Sequence, residues 1–160
     1  MKIVMQKAVV VYSFGGSPRY GPGPANIALA QIAARVTQET KAILVVQDYL
    51  EALLRKNGIR PDFVVHKHQE TKKFLGTEEV TRQFAKYLRS HGISKVLLIA
   101  HPFLHWRKCR HLLKKAGLDV KCISTLKVPF DRSCENWWVR SPLHLLLYSF
   151  LQFAFNRHGC

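Results

Sequence analysis

The sequence predicts an α/β fold: a single Rossmann-like domain on a mostly parallel five-stranded sheet with helices on both faces. Three observations predict it. Short continuous apolar runs, "KAVVVYS", "KAILVVQ" and "SKVLLIA", have the composition of strands buried on both faces. Stretches of helical periodicity separate them, and that alternation argues for parallel strands joined by crossover helices. The 160 residues favour one domain, 1–160, which can bury roughly 70% of its unfolded surface.

Along the chain, "KAVVVYS" (7–13) is the first strand. "FGGSPRYGPGPA" follows as a Gly/Pro-rich loop, in which Pro24 suits the first position of a helix running through "ANIALAQIAARVTQ". Ile27, Ala30 and Ala34 give that helix a face of mostly small residues that can lie close to a sheet. "KAILVVQ" is the second strand; Asp48 is placed to cap "YLEALLRKN", and Gly58 to end it. "PDFVVHKH" is a shorter third strand and "QETKKFLG" a polar loop. Thr77 is placed to cap a helix with Val80, Phe84, Tyr87 and Leu88 on one face. "SKVLLIA" leads into "HPFLHWRKCRHLLKKAG", a fourth helix stopped by Gly117, and "LDVKCIST" is the fifth strand. A long segment then reaches an apolar helix at about 142–155.

The charge is strongly positive: 25 Lys and Arg against 10 Asp and Glu, or +15. Such a field attracts phosphates, nucleic acid or an anionic membrane surface. Cys109, Cys122, Cys134 and Cys160 form no CxxC pair, which indicates neither a zinc site nor a disulfide framework. With no signal peptide in view, the expected compartment is reducing and cytoplasmic, with Cys109 and Cys122 buried. No apolar run reaches the roughly 18 residues of a spanning helix. The last helix could dock on the core, lie on a membrane or pair with a second copy as a homo-oligomer; core docking is the default. Trp137 and Trp138 are expected to pack under it or at a dimer contact.

Parallel sheets bind ligands outside the carboxyl ends of their strands. Here those ends carry Ser13 to Arg19, Gln47 and Asp48, His66 to Thr71, His101 to His105, and Thr125 to Asp131. On the fourth helix His105, Cys109, Leu112, Leu113 and Ala116 share the face that packs on the sheet, while Arg107, Arg110 and Lys114 point to solvent. Lys108 lies three residues past His105, so both could reach one anion near the helix amino end. Gly15 and Gly16 allow close backbone approach to a ligand, Arg19 could hold a phosphate or carboxylate bidentately, and Asn26 could face the same cleft. The loop is neither GxGxxG nor a Walker loop. Glu70 is a candidate acid/base and His105 a candidate proton-transfer residue. His66, His68, His101 and His105 invite a zinc reading, but no carboxylate or Cys accompanies them at ligand spacing, so no metal is expected.

With these residues in place, the chain resembles the SanA/YdcF-like family, domain-of-unknown-function family 218. That family's mark is a strand ending in Thr-Ser, then His after two residues, Arg after two more, and Gly nine residues later. Here His105 matches the His, Lys108 stands at the Arg position, and Gly117 lies nine residues on; His101-Pro102 replaces Thr-Ser. "VVVYSFGG" matches the opening strand and loop, and "LGTEEV" with Thr77 resembles a later segment. The resemblance implies a Rossmann-like bacterial protein with a nucleotide-like ligand, S-adenosylmethionine being one candidate cofactor. The expected activity is therefore binding of an anionic small molecule through Ser13, Gly15, Gly16, Arg19, Asn26, Asp48, Thr77, His101 and Lys108. The alternative is a basic nucleic-acid-binding module without catalysis, for which no recognised motif is present.

Overall fold

The computed structural model describes residues 7–17, 19–66 and 76–156. Five strands form one sheet: β1 (Lys7–Val11), β2 (Ile43–Gln47), β3 (Phe63–Val65), β4 (Lys95–Ile99) and β5 (Asp119–Cys122). Their order is β3-β2-β1-β4-β5, and every pairing is parallel. The helices are α1 (Gly23–Thr40), α2 (Glu51–Lys56), α3 (Thr77–Ser90), α4 (His105–Lys115) and α5 (Pro142–Asn156).

The period of two along each strand divides the core into two layers. Val9, Val11, Leu44, Val46 and Ile99 face the side covered by α1 and α2. Ala8, Val10, Val45, Val96 and Leu98 face the side covered by α3 and α4. The inner strands β1, β2 and β4 therefore need nearly continuous apolar runs, because both their faces are covered. Each large side chain sealed here, such as Leu29 or Phe84, contributes roughly 1.5–3 kcal/mol. The small-residue face of α1 forms as expected through Ala25, Leu29, Ala30, Ala33 and Ala34. Ile27 departs from it, 45% exposed.

Element boundaries shift in ways that bear on the site. α3 begins at Thr77, but the residue before its first turn is Gly76, in extended conformation and without a side-chain cap. The expected Thr77 cap is thus corrected: Thr77 is already helical, and its carbonyl accepts from the Thr81 hydroxyl at 2.7 Å. Asp48 does not cap an α-helix either. It opens a one-turn 3-10 segment, 48–50, and accepts from the Tyr49 amide at 2.8 Å. α4 starts four residues later than its periodicity suggests, because residues 101–104 form a turn ending at Leu104, with φ of 55°. Cys109 is sealed as expected, whereas Cys122 is exposed on the edge strand β5.

After β5 the chain runs as irregular backbone across the α1 side of the sheet. Val128, Cys134 and Val139 join the core there. A 3-10 turn, Trp137–Val139, forms the base of α5, and Trp138 stacks on Tyr148 at 4.7 Å. The two tryptophans therefore pack under the last helix. Among the described residues, no helix is long and apolar enough to cross a membrane.

Candidate functional site

The strand order places a topological switch point between β1 and β4, where open parallel sheets leave a crevice at their carboxyl ends. Two segments meet there: Tyr12 to Gly16 after β1, and Ala100 to His105 after β4. The Tyr12 amide donates to the Ile99 carbonyl at 3.1 Å and extends the pairing by one residue. Phe14 then stacks flat on His101, ring centroids 3.9 Å apart and planes 14° from parallel. Phe130, from the segment after β5, meets His101 edge-on at 4.4 Å. His105 points into the same cluster, with Phe14 at 5.4 Å and Tyr12 at 6.1 Å.

His101 is therefore enclosed by rings, while His105 is partly covered by them. His101 is fully buried, and burial pulls its pKa down to about 4. Burial, reinforced by His101 and Lys108, pulls His105 down to about 3. Both rings are neutral at neutral pH. His101 Nδ1 accepts from the Phe103 amide at 3.3 Å, and the Pro129 backbone also pulls its pKa upward against burial; among the described residues, His105 Nδ1 is buried without a hydrogen-bond partner. Unsatisfied buried nitrogens are uncommon, and leaving one unpaired costs about 1–3 kcal/mol. The turn that presents them carries further strain, since a left-handed φ at Leu104 costs on the order of 1–3 kcal/mol. Beside them the Tyr12 hydroxyl bonds Thr81 at 2.7 Å. Burial raises the Tyr12 phenol and the Cys109 thiol, so both stay protonated.

Lys108 does not share an anion with His105. Its ammonium pairs with Glu78 on α3 at 2.9 Å. Partial burial pushes the Glu78 carboxyl up, but Lys108 outweighs it and the net shift is downward. This corrects the expectation that helical spacing alone aims Lys108 and His105 at one group. Spacing fixes which residues are neighbours on a helix, not which neighbouring helix supplies a countercharge.

The loop after β1 is an anion cradle, and the anion in it is a side chain. The Gly16 amide donates to Asp131 Oδ2 at 3.0 Å. A Cβ at Gly23 would stand 2.2 Å from the same oxygen, and one at Gly15 would stand 3.0 Å from it. Ser133 donates to Asp131 Oδ1 at 3.1 Å, and the carboxylate is 2% exposed. The Cys134 thiol donates to the Gly16 carbonyl at 3.2 Å. Asn26 fixes the loop from inside: its Oδ1 accepts from the Phe14 amide at 2.8 Å, and its Nδ2 donates to the carbonyls of Pro22 at 2.7 Å and Gly15 at 3.3 Å. Gly15, Gly16 and Asn26, expected to contact a ligand, are thus engaged with the chain itself. The sequence places Asp131 at the carboxyl rim but does not name its partner, since it reaches Gly16 across 115 positions.

An open cleft lies one strand over, where the loop after β1 faces the start of α2. It has a volume of about 360 Å³ and is lined by Ser17, Gly21, Pro22, Asp48, Tyr49, Ala52, Leu53 and Lys56. Asp48 is half-buried in its wall. Desolvation raises its pKa, against the opposing pull of the Tyr49 amide and His66. The Ser13 amide donates to Gln47 Oε1 at 3.2 Å, which ties the ends of β1 and β2 together beside it.

The remaining expected site residues are scattered. Arg19 is exposed, its guanidinium over the Tyr20 ring at 5.3 Å. His66 faces Glu51 at 3.3 Å. Glu70 and His68 lie outside the described residues. Among the described residues, no group of three or more His, Cys, Asp or Glu could hold a metal ion.

No family model matches the sequence, and no curated protein matches it. Solved structures with a similar course include a universal stress protein from Archaeoglobus fulgidus in complex with dAMP. It is 12% identical, with a TM-score of 0.43 over 76% of this chain and 100% of that one. A UDP-N-acetylglucosamine 2-epimerase is 17% identical, with a TM-score of 0.42 over 74% of this chain and 33% of its own. Glycinamide ribonucleotide transformylase 1 from Symbiobacterium toebii is 16% identical, with a TM-score of 0.37 over 70% and 47%. At these values none of them carries a family or a function to this chain.

Proposed function

We propose that this is a small-molecule-binding α/β protein of the SanA/YdcF-like kind, taking a nucleotide-like ligand at the carboxyl rim of the sheet. Candidate ligands are an anionic nucleotide and S-adenosylmethionine. The observation that carries this reading is the cleft between the loop after β1 and the start of α2, with Asp48 half-buried in its wall. Its volume falls within the range of ligand sites. A carboxylate at the end of the second strand suits the vicinal hydroxyls of a ribose, as in dinucleotide-binding sheets. Pro22, Tyr49 and Leu53 supply apolar wall for a base, and Lys56 at the rim supplies positive charge for an anionic group. His101 and His105 lie at the filled switch point, packed by Phe14 and Phe130, and do not line this cleft.

Calorimetry with AMP and with S-adenosylmethionine tests the proposal. A ligand at 100 times Kd stabilises the fold by about 2.7 kcal/mol. Asp48→Asn is expected to weaken binding at least tenfold while the fold persists. Equal binding by wild type and variant, or no thermal shift with nucleotides, S-adenosylmethionine or sugar phosphates, overturns it.

A second reading has one observation in its favour. Arg107, Arg110, Lys114 and Lys115 on α4 and Lys121 on β5 are all exposed, and although burial raises the Cys122 thiol pKa overall, Arg110 and Lys114 stand close enough to oppose that rise. Such a ridge could hold a nucleic-acid backbone. Retention on nucleic acid that survives His105→Ala with Lys108→Ala, yet disappears with salt, selects this reading.

A further inference from the structure

We propose that α5 docks the protein flat on an anionic lipid bilayer. The helix has two apolar faces. Leu145, 8% exposed, and Tyr148 pack inward on the core and the Trp137–Val139 turn. Leu143, Leu146, Leu147, Phe150 and Leu151 are 74, 52, 50, 67 and 36% exposed. At about 100° per residue these five fall within an arc of roughly 140° on the side away from the core. A contiguous face of exposed leucine and phenylalanine this wide is normally covered, so the outer face calls for an occupant.

Charge selects the occupant. After Glu135 the sequence carries no Asp or Glu through Cys160, while Arg140 and Arg157 bracket the helix and the whole chain stands at +15. A second copy would bring the same positive field to the contact. It would also offer no carboxylate opposite Arg140, because a two-fold pair presents the same patch twice. Anionic headgroups supply the missing sign, and acyl chains take the leucines. At about 22 Å for 15 residues, α5 is shorter than the roughly 30 Å hydrocarbon core. It therefore lies in the interface, as amphipathic anchors do, with Trp137, Trp138 and Tyr148 along its inner side.

Flotation of the full chain with vesicles tests this. Co-flotation is expected with vesicles of equal phosphatidylglycerol and phosphatidylcholine, and at least tenfold weaker binding with phosphatidylcholine alone. The double variant Leu146→Gln, Phe150→Gln changes only exposed side chains. It is expected to lose binding at least tenfold while its circular dichroism and Tm match wild type. Three results would overturn the proposal: no binding to the anionic vesicles, equal binding by the double variant, or a dimer in sedimentation that the double variant dissociates.

Discussion

Two places at the carboxyl rim of the sheet invite comparison: the switch point between β1 and β4, and the cleft between β1 and β2. Fold and composition favour the first, with glycines, a helix start, two histidines and a cation within reach. Yet it is closed. Phe14, Phe130 and Asp131 fill it, and the one anion its glycine loop accepts is the chain's own carboxylate. The second has plainer residues and stays open. The difference teaches that glycines and a helix amino end define where an anion belongs, not whether it comes from outside.

If the switch point is a structural lock, damage there should cost more than damage elsewhere on the rim. Gly23→Ala should do the most harm. It puts a Cβ 2.2 Å from Asp131 Oδ2 at a residue with φ of +75°, and about 3 kcal/mol should be lost, from left-handed strain and a broken buried hydrogen bond together. Urea denaturation reads this; a stable Gly23→Ala protein would mean the carboxylate sits elsewhere. Asp131→Ala comes next, at about 2 kcal/mol, because it strands the Gly16 amide.

The third effect is a pH dependence. The folded pKa values of His101 and His105, about 4 and about 3, lie below the unfolded value near 6.5. Between these limits the unfolded chain binds protons that the folded chain refuses. Stability is therefore full above about pH 6.5 and falls as pH drops, by up to about 1.4 kcal/mol per unit for each group. Denaturation at pH 7, 6 and 5 should show the fall, and His105→Asn should flatten it; parallel slopes in the two proteins count against the buried neutral ring. The smallest effect belongs to Lys108 and Glu78, whose side chains are 41% and 64% exposed. A double-mutant cycle should return no more than about 1 kcal/mol, shrinking with salt. A larger coupling would bring Lys108 back into the buried cluster.

The architecture was legible because its signals are local. Apolar runs such as "VVVY" and "VLLI" can be satisfied only between two helical layers, and the faces of α1 and α3 follow from spacing. What was not legible depends on distant partners or on backbone. The start of α4 is set by Leu104 in a left-handed conformation that leucine does not announce. Cys122 looks like a core residue until β5 proves to be the edge. Ile27 fits the periodicity of α1 but falls just off the arc that meets the sheet. The site divided the same way: His101, His105 and Phe14 do come together at a strand end, while the partners of Gly16 and Lys108 come from segments whose placement only the fold decides.

The bond between Gly16 and Asp131 spans 115 positions. During synthesis at about 5–20 residues per second, on the order of ten seconds separate the appearance of the two groups. Through that interval the nascent amide has only solvent, or any small oxyanion nearby, to satisfy it. Closure of the first turn of the domain is thus deferred until residue 131 has been made, and a chain stalled before that point would leave the turn open.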